Sequence, residues 1–167
     1  MKRTVFIGLL VVLNIAVDQI SKVWVRANFA YGQTKSIIGD SFIMQYVENK
    51  GAFLGMGSDL NPTLRLIFLL ILPIIVLGYV AYYILTHKDL DKMSLIAFCC
   101  IIGGGIANVF DRIVLGSVTD FFFIDLGGIF KTGIFNFADV SVTTGMIMLV
   151  VASFTSNKKK KLQTEEP

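Results

Sequence analysis

Charge is scarce in this chain: Asp, Glu, Lys and Arg make up 16% of its 167 residues, against roughly 25% in a soluble domain. That scarcity excludes a disordered chain, a nucleic-acid binder and an ordinary cytosolic enzyme. Histidine occurs once, as His87, so an HExxH metal site is excluded. The two cysteines, Cys99 and Cys100, are adjacent. Neighbours on a helix point about 100° apart, which makes them poor disulfide partners, and no metal-type cysteine spacing appears. Proline is limited to three residues.

What is present instead is apolar: 54% of the residues, with a mean hydropathy of +0.72. Four apolar segments stand out, at about 4–25, 64–86, 94–114 and 134–156. The second has 23 residues and one charge, Arg65; at 1.5 Å per residue it reaches about 34 Å, enough to cross a bilayer core with some tilt. Pro73 falls in its middle, where a membrane helix tolerates a kink. Lys2-Arg3 followed by Val5 to Val17 has the look of a signal peptide. Asp18-Gln19 follows in place of a small-x-small cleavage site, so the segment is expected to stay as a span. The expected architecture is all-α: one integral membrane domain over residues 1–167, with four transmembrane helices.

Basic residues set the orientation. Lys2 and Arg3, then Lys88 and Lys92, then Lys158–Lys161 crowd the short segments that four spans place on one face. That face is expected to be cytoplasmic, with both termini and the basic tail 157–167 inside; the tail's lysines also suit anionic lipid. Loops 26–63 and 115–133 then lie outside. Ser36 to Val47 is β-branched and aromatic around Gly39-Asp40, which predicts a small extracytoplasmic β-sheet from loop 1. Phe121 to Phe130, with a turn at Gly127-Gly128, is its counterpart in loop 3.

Ionisable groups inside spans are costly and therefore functional candidates. Asp18 lies about 20 Å along the first span. Asn108, Asp111 and Arg112 end the third, Asp139 begins the fourth, and Asn49 and Asp120 belong to the outer loops. Five separated stretches thus bring polar groups to one depth on one side. Asp18 and Lys22, at i,i+4, pair as a structural element or as a brace for a site. Asp111 and Arg112 suggest a structural ion pair or a helix clasp. Asp120 and Asp139 have no basic residue at helical spacing and sit among phenylalanines, which predicts raised pKa values. Asp125 is a rival acid, better suited to the Gly127-Gly128 turn. Gly103-Gly104-Gly105 reads as a close helix-packing surface, and Trp24, Tyr79, Tyr82 and Tyr83 as interfacial aromatics. His87 belongs to the cytoplasmic turn, so a catalytic cluster on the outer side is left with carboxylates: one activates water while the other donates a proton. A small ion or proton transporter using the same acids is the alternative, although relays favour acids spread through the membrane depth. An anchoring subunit without chemistry is a third reading.

Asp18-Gln19-x-x-Lys22, Asn49-x-Gly51-Ala52-Phe53, Asn108-x-x-Asp111-Arg112, Val118-x-Asp120-Phe121 and Phe135-Asn136-x-Ala138-Asp139 occur in this order. The set resembles the lipoprotein signal peptidase (signal peptidase II) family over roughly residues 14–145. The resemblance implies a monomeric aspartic endopeptidase of the bacterial inner membrane, working without metal or cofactor, which cleaves diacylglyceryl-prolipoproteins before the lipidated cysteine and is blocked by globomycin-type inhibitors. It implies Asp120 and Asp139 as the catalytic pair. Asn49, Gly51, Asn108, Arg112, Asn136 and Ala138 would bind substrate or order the pair, and Asp18, Gln19, Lys22 and Asp111 would give structural support. The loop-1 sheet would be the family's cradle on the bilayer surface. Glu48 stands where the family commonly has Arg, Phe53 where a second Ala is common, and Ala107 where Gly is usual.

Overall fold

A computed structural model describes residues 2–52, 56–57 and 60–164, with side chains as far as residue 155. Among the described residues, four helical stretches are long and apolar enough to cross a membrane: Arg3–Asn28, Pro62–Thr86, Lys92–Leu115 and Phe137–Thr155. The protein is therefore a multi-pass membrane protein. Its first helix, α1 (Arg3–Asn28), shows what the bilayer does as a solvent. Leu9, Val12, Leu13 and Ile20 are exposed on it, while Asp18 and Lys22 are fully buried. Lipid accepts the apolar side chains and rejects the charged ones, so the usual inside-outside pattern is reversed.

The second span is built from α2 (Pro62–Leu66), a π-helical turn (Ile67–Ile71) and α3 (Leu72–Thr86). Asn61 caps its start, accepting from Leu64 N at 2.9 Å, and Pro62 occupies the first turn, where a missing N–H costs nothing. The π turn explains how Pro73 is accommodated. A proline ring collides with the carbonyl four residues back; the wider turn just before it, closed by Leu72 N to Ile67 O, loosens the chain there.

The third span, α4 (Lys92–Leu115), is capped by Asp91, which accepts from Ser94 N, and ends at Gly116 in the left-handed region (φ +74°). It is the hub of the bundle, because its three consecutive glycines face three different neighbours. A Cβ on Gly103 would stand 2.6 Å from the Asn14 side chain on α1. One on Gly104 would run into the Ala138 carbonyl, and one on Gly105 would stand 2.6 Å from Leu77 on α3. The expected packing surface is thus a three-way junction. Below it, Ser141 donates to Asn14 Oδ1 and to the Cys100 carbonyl (2.9 Å), tying three spans together. Both cysteines are free.

The fourth span, α5 (Phe137–Thr164), starts later than expected. Residues 134–136 are not helical: Phe135 bridges to Phe122 in the sheet. That sheet is antiparallel, in the order β1 (Thr34–Ile38), β2 (Phe42–Asn49), β3 (Val118–Ile124). The loop-1 hairpin turns at Gly39 (φ +51°), as expected. The sheet does not come from loop 1 alone, however, since β3 belongs to loop 3. β3 runs from Val118 to Ile124, and the chain then turns at Gly127-Gly128, as expected, between antiparallel bridges Asp125↔Lys131 and Phe122↔Phe135. The pairing Val47↔Asp120 and Asn49↔Val118 sets the register that matters. Phe121 docks the sheet onto the end of α1 against Val25 and Phe29. At the opposite end of the bundle, Arg3 Nη2 donates to the His87 carbonyl at 2.8 Å, joining the start of α1 to the turn between the second and third spans.

Candidate active site

Asn136 organises the centre of the site through its position at the start of α5. Its Oδ1 accepts the Asp139 N–H (2.9 Å), and the Asp139 carboxylate in turn accepts the Asn136 N–H (3.2 Å). This is a reciprocal capping box, with aspartate where glutamate is usual. The same Asn136 side chain donates to Asp120 Oδ1 at 2.6 Å. One asparagine therefore holds an acid from β3 and an acid from α5 in a single constellation. Asp120 Oδ2 accepts from Asn49 Nδ2 on β2 (2.8 Å), and Asp139 Oδ1 accepts from Asn108 Nδ2 on α4 (2.9 Å).

Behind the acids lies a buried charge cluster. Lys22 Nζ is 2.7 Å from Asp18 Oδ2 and 2.8 Å from Asp111 Oδ2. The latter contact is an ion pair that leaves Asp111 Oδ2 without an aligned hydrogen bond. Lys22 also donates to Asn108 Oδ1 (2.8 Å). Gln19 donates to Asp111 Oδ1 (2.9 Å), and Asp18 Oδ1 accepts the Ala138 N–H (2.8 Å) at the second position of α5. The cluster thus orients Asn108 from one side and the first turn of α5 from the other.

The expected Asp111–Arg112 pair is not formed. Side chains at i,i+1 point about 100° apart on a helix, and Asp111 turns inward to Lys22. Arg112 donates instead to the Gly51 carbonyl (2.9 Å) and the Asn108 carbonyl (3.2 Å). Gly51 is placed by an Asx turn in which its N–H donates to Asn49 Oδ1 (2.8 Å). All twelve site residues implied by the family resemblance, from Asp18 to Asp139, therefore fall in one connected hydrogen-bond and ion-pair network.

Asp120 is 2% exposed. Burial, and next the negative charge of Asp139, push its carboxyl up to about 7, against the Asn49 and Asn136 amides that favour the anion. Asp125 behaves oppositely. It receives the Gly128 N–H (2.8 Å) and pairs with Lys131 (2.9 Å), which together hold it below the ordinary carboxylate range. It is a turn residue, as its neighbours suggested, and stands apart from the network.

Two clefts meet at Asp139. The larger, about 930 Å³, is an apolar groove between the second, third and fourth spans, with Asn108, Arg112 and Asp139 at its polar end. The smaller, about 360 Å³, lies beneath loop 3 beside Phe130 and Phe135. An acid pair with Asp120 buried and its carboxyl raised to about 7, and Asp139 half-buried at the head of an apolar groove, is equipped to activate water against a bond that arrives from the membrane.

Sequence reading missed the partners of Glu48, which appeared only as a departure from a family pattern. Its carboxylate accepts from Tyr46 (2.8 Å), Ser117 (2.6 Å) and Thr119 (2.9 Å), while Arg26 donates to Thr119 Oγ1 (2.8 Å). Partial burial, and next the hydrogen bond to Glu48 and its charge, push the Tyr46 phenol up to about 12. Glu48 thus anchors the strand carrying Asp120. The β-branched run Val118-Thr119 was the available signal. Ala107 is buried and its carbonyl accepts from Gln19 (3.3 Å). Phe53 lies outside the described residues.

Known proteins are similar to this chain in sequence and fold. Lipoprotein signal peptidases of Streptococcus pyogenes serotype M2 (strain MGAS10270) and serotype M5 (strain Manfredo) are each 34% identical over 151 residues, covering 90% of this chain and 93% of theirs. A bacterial membrane enzyme solved by the in meso method at 2.3 Å resolution superposes with a TM-score of 0.83 at 25% identity, covering 97% of this chain and 93% of that one. A second, solved at 1.9 Å, shares the fold with a TM-score of 0.77 at 24% identity, over 88% of this chain and 91% of its own. The family model described as signal peptidase (SPase) II matches residues 10–155, and the chain belongs to that family.

Proposed function

We propose that this chain removes signal peptides from diacylglyceryl-modified prolipoproteins, cleaving just before the lipidated cysteine, with Asp120 and Asp139 as an aspartic pair. The observation that carries the reading is the pair itself: two carboxyls joined through Asn136, with Asp139 at the polar end of an apolar groove between spans. Asp139 stands in the first turn of a membrane helix and Asp120 on the interfacial sheet, so the scissile bond is met at the membrane surface. The raised Asp120 carboxyl supports a resting pair that shares one proton near neutral pH.

In the reaction, the ionised carboxylate takes a proton from water, and the oxygen attacks the scissile carbonyl carbon. The protonated carboxyl donates to the carbonyl oxygen. Collapse of the tetrahedral intermediate breaks the C–N bond, the proton passes to the leaving amine, and the signal peptide departs with a new carboxylate. Asn49 and Asn108 hold the two carboxyls from the sides not used by Asn136, and Arg112 fixes the Gly51 carbonyl at the rim. The substrate's acyl chains stay in lipid while its backbone enters the groove, where a globomycin-type inhibitor would compete. The enzyme works as a monomer in the bacterial cytoplasmic membrane, with both termini inside and the site facing out. The acids within spans, Asp18, Asp111 and Asp139, gather at the sheet end, which disfavours a transmembrane relay.

A gel-shift assay on a diacylglyceryl prolipoprotein tests this. Wild-type protein should cleave it and be indifferent to chelators. Asp120→Asn and Asp139→Asn should each be inactive yet normally folded, and the double variant scarcely worse than either. Substantial cleavage by either single variant removes that residue from the pair, and loss of activity to a chelator sinks the aspartic mechanism.

A further inference from the structure

Where the second span meets the sheet end of the bundle, a pocket of about 420 Å³ is lined by Lys50, Arg65 and Arg112 above Leu66, Leu69 and Leu70. No carboxylate is among its described lining residues. Arg112 faces the carboxylates of Asp139, Asp120 and Asp111 on its other side, but within the pocket Lys50 and Arg65 have no such counterpart among the described lining residues, and the arrangement calls for a negative ligand. Arg65 gives the same indication independently. Its Nε is buried and has no hydrogen-bond partner among the described residues, a state that costs free energy unless something fills it. Arg112 spends only part of its five-donor guanidinium on the Gly51 and Asn108 carbonyls.

The position of the pocket names the source of the anion. Immediately after Arg65, Leu66, Ile67 and Phe68 are exposed apolar side chains on a membrane helix. Arg65 therefore stands at the depth of the lipid headgroups, with hydrocarbon directly beside it. Arginine suits phosphate through paired N–H groups, and lysine supplies a point charge. The leucines below it offer an apolar slot for the start of an acyl chain. A zwitterionic headgroup would bring a further cation among three cations; an anionic one would not.

We propose that Lys50, Arg65 and Arg112 form a binding site for the phosphate of an anionic phospholipid, of the phosphatidylglycerol type, at the mouth of the second span. The site is separate from the acid pair and independent of the peptidase reading. Its one shared element is Arg112, which also lines the groove containing Asp139. A lipid seated here lies next to the site where the bond is broken.

Native mass spectrometry of the delipidated full-length protein in detergent tests the assignment, with dioleoylphosphatidylglycerol as the probe. Dioleoylphosphatidylcholine, dioleoylglycerol and inorganic phosphate serve as comparison arms. Phosphatidylglycerol should bind most tightly, and dioleoylglycerol, which lacks the phosphate, should show no preference for wild type over variants. Lys50→Gln and Arg65→Gln should each weaken phosphatidylglycerol binding roughly tenfold, as loss of one charged hydrogen bond implies. Lys50 is exposed, so its substitution tests the site without burdening the fold. Wild-type affinity for phosphatidylglycerol in the Lys50→Gln protein, or in a folded Arg65→Gln protein, overturns the proposal. Inorganic phosphate that binds alone and displaces the lipid completely would make this a free-phosphate site and overturn the lipid assignment.

Discussion

Replacing Asn49 with alanine probes the electrostatics of the acid pair through a single donor. Asn49 Nδ2 reaches Asp120 Oδ2 at 2.8 Å and favours its ionised form. A hydrogen bond onto a charged group contributes about 1.5–3 kcal/mol, and one pKa unit corresponds to about 1.4 kcal/mol. Water entering the vacated space would restore part of that interaction, so a shift of roughly one unit is expected. Its sign follows from which form loses support. Without the amide the anion is less stable, the pair holds its shared proton more tightly, and the proton leaves at higher pH. In wild type the carboxyl stands at about 7, which places the alkaline limb of a bell-shaped rate profile near neutrality. In Asn49→Ala that limb should move upward. The measurement is the cleavage rate of a lipidated peptide, followed from mildly acidic to mildly alkaline pH. Asn49 also positions Gly51, so the height of the profile will fall as well, but that loss is independent of pH. A limb that stays in place or moves downward would refute the assignment of the alkaline limb to Asp120.

Other consequences are equally direct. Lys22→Met should cost about 3–5 kcal/mol, because it strands Asp18 and Asp111 in a buried site; an unchanged unfolding midpoint in detergent would contradict the cluster. Asp111→Asn should cost less, since Lys22 keeps Asp18, and the same melting experiment gives the comparison. Gly104→Ala should destabilise by about 1–3 kcal/mol through overpacking against the Ala138 carbonyl, and should lower the cleavage rate more than Gly8→Ala, which meets open space. A cysteine introduced at Gly127 should react with an impermeant thiol reagent added outside intact cells and one at Leu90 should not, with reversed labelling inverting the orientation.

The spans were legible in the sequence because bilayer insertion depends on local composition, and apolar runs report it directly. The polar network was legible for a related reason: a charge within a span needs a partner, so Asp18, Lys22 and Asp139 announce themselves. What sequence left open was the choice of partner. Asp111 and Arg112 are neighbours in the chain and yet face different elements, because the ion pair is decided by helix packing at Gly103 and Gly104. Asn136 and Asp139 both fall inside the fourth span as expected from about residue 134. The structure makes them a cap because pairing of Phe135 with Phe122 delays the start of the helix. The start of β3 at Val118 was likewise not legible locally, since its register depends on β2, some seventy residues earlier.

That long-range strand pairing also has a bearing on how the protein is made. The site needs Asn49 from the first outer loop, Asp120 from the second and Asp139 from the opening turn of the last helix. Asn49 has no Asp120 to hold until two further spans have been threaded, and Asn136 has nothing to join until the final one begins to wind. A nascent chain still being inserted thus carries only fragments of a catalytic centre. Synthesis order alone therefore delays assembly of the site until the last span is being made.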